Sequence, residues 1–188
     1  MIKKRKGFPK ASILKEVCSQ YDYIDSYRAE FTDNEQPIDL SEVSRLFIQH
    51  SSPQWVEVLF AIRDRVVKIV GLKTSKDIPS GQQSDFKNCK PGDRLGMFKI
   101  FDKTDDELVL GEDDKHLDFR VSLFLRPLEN SARKELAITT VVKYNNWFGK
   151  LYFLPVQFFH GIIVSSSLKG IVKSLENRAI PTNAGRRV

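Results

Sequence analysis

The sequence predicts an α+β domain in which an antiparallel sheet curves around one long C-terminal helix. Three observations carry that expectation. The most apolar stretch of the chain lies at 147–177, where only Gln157 and His160 are polar in side chain between Leu151 and Val164. Residues 116–126 and 133–144 alternate apolar and polar side chains with the period of a strand. Strands joined by short connections make a meander with one packed face and one wet face, and the last helix is the only element apolar enough to cover the packed one.

The elements follow in order. Residues 12–19 suit a short helix. Residues 21–31 are rich in aromatic residues and alternate, with Tyr21, Tyr23, Asp25 and Tyr27 on one side and Ile24 and Arg28 on the other, which favours a first strand. After a turn at 32–38, Asp39 is an N-cap with Glu42 three residues on, opening a short helix through Ile48. Ser52 and Pro53 open a second, longer helix striped by Trp55, Leu59, Ile62, Val66 and Ile69, and Gly71 stops it. These are two shorter helices between the first and second strands. Residues 73–94 are polar and aperiodic, the pattern of an insert or a lid.

Strands are expected at 95–101 and 107–111. In 116–126, Leu117, Phe119, Val121, Leu123 and Leu125 share one face and His116, Asp118, Arg120 and Ser122 the other. In 133–144, Leu136, Ile138, Thr140, Val142 and Tyr144 oppose Glu135, Thr139 and Lys143. The final helix repeats Leu168, Ile171, Val172 and Leu175 at helical steps, and its apolar first half should be buried from several sides. Pro155 either kinks it or stands in its first turn.

The 188 residues suit one domain. With 41% hydrophobic and 29% charged residues, the composition excludes a chain that is disordered throughout. The net charge of +6 sits at the ends: Lys3, Lys4, Arg5, Lys6 and Lys10 open the chain without an acid, Arg178, Arg186 and Arg187 close it, and residues 11–177 carry −2. The division is a basic N-terminal arm at 1–18, a domain at 19–177 and a flexible basic tail at 178–188. A sequence-specific nucleic-acid partner is not expected of a body without excess positive charge. The basic opening lacks the apolar core of a secretory signal. The run from Leu151 to Val164 is shorter than the ~20 residues of a membrane span, so no transmembrane segment is expected. Cys18 and Cys89 stand apart, without zinc-ligand spacing, and read as reduced thiols in a cytoplasm.

Two groups of residues carry candidate chemistry. His160, one turn from Gln157 in apolar surroundings with Phe153 and Val164 on its stripe and Tyr144 at the end of the last strand, forms a candidate ligand-binding group. The same histidine also suits a structural role, bonded to a strand. Asp113, Asp114, His116, Asp118 and Arg120 form a second candidate cluster, but its spacing fails the EF-hand pattern and Asp113 and Asp114 fall where a hairpin turns, so no metal is expected. No P-loop, G-x-G-x-x-G, G-x-S-x-G or H-E-x-x-H is present. No cofactor and no catalytic residue are assigned, and the balance is against an enzyme. The small residues Gly161, Gly170 and Ser165 to Ser167 either let a strand approach the helix or leave room for a ligand.

The blocks GEDDKHLDFRVSL at 111–123, TTVV at 139–142 and FGKLYFLPVQFFHGIIV at 148–164 resemble a bacterial domain-of-unknown-function family of the START-like (SRPBCC) superfamily, over roughly Tyr23 to Leu175. The family pattern has a proline directly before its Phe-His pair; here Phe158 stands there and the proline is at 155. The resemblance implies the helix-grip fold, and with it a hydrophobic small molecule or lipid held between sheet and C-terminal helix. Alternatives from other classes are a cyclase or hydratase using a pocket histidine, and a protein-interaction module.

Overall fold

The computed structural model describes residues 2–5, 7–33, 37–50, 86–129 and 131–178. The second helix and most of the polar insert expected from the sequence, together with the basic tail beyond Arg178, lie outside those residues.

Seven strands form one antiparallel sheet: β1 (Lys3–Arg5), β2 (Tyr23–Thr32), β3 (Arg94–Leu95), β4 (Phe98–Lys103), β5 (Glu107–Asp113), β6 (Leu117–Pro127) and β7 (Arg133–Tyr144). They run in the order β1-β2-β7-β6-β5-β4-β3, so the chain closes the sheet by pairing its last strand with β2. Helix α1 (Leu40–His50) starts as expected, with Asp39 Oδ1 accepting the Glu42 amide at 2.9 Å. Helix α2 (Trp147–Arg178) is a single run of 32 residues.

Alternation decides which side of the sheet meets α2. Leu123, Leu125, Leu136, Ile138, Ala29 and Phe31 face Val164, Leu168, Ile171 and Leu175 in the principal core, which α1 closes with Val43, Leu46 and Phe47. Several sequence expectations are corrected here. Residues 95–101 are not one strand, because the chain turns at Gly96 (φ 60°), a left-handed conformation that suits glycine, and splits it into β3 and β4. The short helix at 12–19 is two 3₁₀ turns, Ile13–Lys15 and Cys18–Gln20.

The sheet's second face is not wet. Leu14 packs with Val109 and Val141 there, flanked by Phe8, Ile13, Val17, Tyr21 and Phe101. Part of the expected basic arm is thus built into the fold, with Lys3–Arg5 pairing along β2 and residues 8–21 covering the sheet.

Helix α2 passes through Pro155 rather than starting there. The missing amide leaves the Leu151 carbonyl without its helical donor, and both residues are exposed, so water can take that place. Nor is its apolar half buried all round: Phe153, Val156 and Val164 face inward, while Leu151, Leu154, Phe158 and Ile162 face solvent. Burial follows one stripe because only one side of the helix meets sheet and α1.

Candidate functional site

Strands β2 and β7 pair so that Asp25 stands opposite Thr140, and Thr140 stands opposite Val121 of β6. This row points toward α2, which delivers His160 onto it. His160 Nδ1 lies 3.2 Å from Asp25 Oδ2, the geometry of an imidazole N–H donating to a carboxyl oxygen. The Tyr23 hydroxyl donates to the same Oδ2 at 2.7 Å. Burial, and then that hydrogen bond, raise the Tyr23 phenol well above its ordinary pKa and keep it a proton donor.

Both contacts fall on one oxygen. Asp25, 4% exposed, has its other oxygen, Oδ1, buried without a partner among the described residues, and the neighbouring Thr140 Oγ1 is buried and unpartnered among them as well. Leaving such groups unpaired costs about 1–3 kcal/mol each, so two on facing strand positions single this place out as a candidate site. Around them lie aromatic walls. Tyr23 meets Phe153 edge-on at 4.9 Å between centroids and His160 at 6.1 Å, and Tyr144 meets Phe153 at 5.8 Å. On the same face of β6, Phe119 and Val121 stay partly exposed, so α2 does not fill the sheet's face at this end.

Of the residues read as a ligand group, His160, Phe153 and Tyr144 come together here. Gln157 does not: it is exposed, beside the solvent-facing Leu154 and Phe158. Val164 joins the principal core instead. Tyr23, Asp25 and Thr140 complete the polar group. The available signal for Asp25 was an acid on the strand side that also carries Tyr23 and Tyr27.

The second cluster locks a turn onto a helix end. Arg120 Nη2 donates to Asp113 Oδ1 at 2.6 Å, and its guanidinium carbon sits 3.4 Å from the Phe101 ring centroid. Asp114 Oδ1 accepts the His116 amide and Asp118 Oδ1 accepts Asn145 Nδ2, at 3.1 and 2.9 Å. Asn146 caps α2 by accepting the Gly149 amide at 3.0 Å, and its side chain also touches the His116 ring. Residues read as one candidate centre are therefore committed to the β5–β6 turn and the start of α2. Among the described residues, no group of three or more His, Cys, Asp or Glu is placed to hold a metal ion. Cys18 and Cys89 are both free thiols.

A seven-stranded antiparallel sheet gripping a long C-terminal helix, with one short helix closing the core, defines an α+β domain of helix-grip-like architecture. Residues 17–167 match the family described as Protein of unknown function (DUF2867), and the chain belongs to that family. Among solved structures, it is similar to a solution NMR structure of a protein from Arthrobacter aurescens, at 14% identity and a TM-score of 0.43, covering 87% of this chain and 93% of that one. No curated protein matches it in sequence.

Proposed function

We propose that the domain is a START-like, cytoplasmic binding protein that holds a hydrophobic small molecule or lipid between sheet and α2, with Asp25, His160 and Tyr23 gripping its polar end. The observation that carries this reading is the pair of unpartnered buried oxygens, Asp25 Oδ1 and Thr140 Oγ1. A ligand hydroxyl or amine donating to Asp25 Oδ1 would supply the missing partner, while Phe119, Val121 and Phe153 offer apolar surface to the rest of the molecule. Native mass spectrometry of the purified protein, followed by solvent extraction, tests it. The expected result is a bound apolar species carrying a hydroxyl or amine, lost in Asp25→Leu and weakened in Thr140→Val. Wild-type protein that is empty and that no lipid or amphiphile shifts in melting temperature would overturn the reading.

The Asp25–His160 contact also favours a second reading. A carboxylate behind an imidazole is how an acid–base histidine is oriented. A cyclase or hydratase would use His160 to move a proton on the bound molecule. Conversion of the extracted species during incubation, abolished in His160→Gln with binding retained, would select this reading over simple carriage.

A further inference from the structure

Among the described residues, every large exposed hydrophobic side chain but Ile24 lies on α2. Trp147, Leu151, Leu154, Phe158 and Ile162 recur at steps of four, three, four and four, which puts them in one row about 22 Å long along the helix. Phe158 is 80% exposed and Trp147 74%, and Phe159 adds a second ring beside the row. Continued at the same steps, the row passes Ser166 and reaches Lys169 and Lys173, all exposed. No Asp or Glu occurs from Trp147 to Leu175, and Lys150 adds another exposed cation.

The neighbouring sheet edge is also basic. β1 exposes Lys3, Lys4 and Arg5, and Lys4 Nζ lies 5.5 Å from the centre of the Tyr27 ring. The Tyr27 hydroxyl in turn packs against Gly161 of α2, between Phe158 and Ile162 in sequence. Cations therefore stand both beside the apolar row and at its end.

We propose that this face of α2, with the basic edge strand beside it, docks the protein onto the surface of a membrane containing anionic lipids. An apolar row ringed by lysine and arginine, with tryptophan and phenylalanine at its most exposed points, is the chemistry of a helix lying in the bilayer interface. By length and composition α2 could cross a membrane. Its inner stripe of Phe153, Val156, Val164, Leu168, Ile171 and Leu175 is packed within the domain, so it lies on the bilayer instead of spanning it. A second copy of the chain is the poorer partner, because matching this face to itself would oppose Lys3, Lys4, Arg5, Lys169 and Lys173 with like charges. Docking is independent of the ligand proposed for the Asp25–His160 group, since the face could meet a membrane whether or not that ligand is bound.

Co-sedimentation with phosphatidylcholine vesicles, with and without about a third phosphatidylglycerol, tests it. The full chain should bind the anionic vesicles, weaken as salt rises, and bind neutral vesicles poorly. Phe158→Glu with Ile162→Glu should reduce binding at least about tenfold, and Lys3→Glu with Lys4→Glu and Arg5→Glu should remove the preference for anionic lipid. Each variant is checked by circular dichroism, and a second pair, Phe158→Ser with Ile162→Ser, guards against misfolding. Failure of the folded wild-type chain to bind anionic vesicles would overturn the proposal. So would light scattering that shows a dimer which Phe158→Glu dissociates.

Discussion

His160 Nδ1 and Asp25 Oδ2, 135 positions apart in sequence and 3.2 Å apart in space, tie the long helix to the second strand. The contact is mostly buried, at 15% and 4% side-chain exposure. Replacing His160 with Leu keeps apolar volume but takes one of two partners from a buried carboxyl, and unfolding by denaturant should show a loss of about 1–3 kcal/mol. In a cycle with Asp25→Asn the two losses should fail to add, by more than about 0.5 kcal/mol. Additive losses would mean that the two side chains are merely neighbours.

Tyr23 gives that cluster a pH signature. Its folded pKa is raised above the ordinary 10.0, first by burial and then by the hydrogen bond to Asp25. A group raised in the folded state contributes stability that is fully present below its unfolded pKa and lost as pH rises toward its folded one. Wild type should therefore melt above Tyr23→Phe at neutral pH, and the gap should narrow once pH exceeds about 10. Melting curves across that range check the sign. A gap that widens with alkalinity would contradict it.

The glycines of α2 mark close approach rather than spare room. Exchanging glycine for alanine within a helix gains roughly 1 kcal/mol from propensity alone. At Gly149 an added Cβ would overlap the His116 carbonyl oxygen, which is backbone and cannot swing aside. At Gly170 it would meet His50 Nδ1 at 2.7 Å, and His50 is held by Ser174 at 2.9 Å. At Gly161 it would run into the hydroxyl of Tyr27, whose ring is buried in the principal core. Thermal melts should rank Gly149→Ala as the most destabilising, by about 1–3 kcal/mol net, with Gly161→Ala and Gly170→Ala, which press on side chains instead of backbone, costing less.

What the sequence could and could not convey follows from the physics of each element. Alternation in 116–126 and 133–144 is local, so β6 and β7 and their inward faces were legible. His160 was legible because a lone imidazole stands out in an apolar run. Its partner was not: pairing Asp25 with Thr140 depends on the register between strands more than a hundred residues apart, which no local pattern encodes. The exposure of Phe158 and Ile162 was hidden for a similar reason, because apolarity does not state how many sides of a helix will be met. The cover over the sheet's second face went unseen since residues 8–21 form 3₁₀ turns without a period.

That cover is held by one buried side chain, which makes its removal predictable. Glu107, 1% exposed, accepts the Ser12 hydroxyl at 2.8 Å and the Ile13 amide at 2.7 Å, and also accepts the Ser122 hydroxyl of β6. Two of these three donors come from the N-terminal segment. Deleting residues 2–7 removes an exposed edge strand paired at three residues, together with Ile2, which packs partly buried against the principal core, and should lower the melting temperature modestly. Deleting through Gln20 uncovers Val109 and Val141 and strips Glu107 of two donors, and should lower it sharply. Glu107→Leu isolates the polar part, because it leaves the Ser12 and Ser122 hydroxyls and the Ile13 amide without their acceptor. The cost in the full chain should be about 1–3 kcal/mol. In the chain lacking residues 2–20 the Ile13 amide is gone, and the same exchange should cost less than half as much. Equal costs in the two backgrounds would show that Glu107 stabilises the sheet without holding its N-terminal cover.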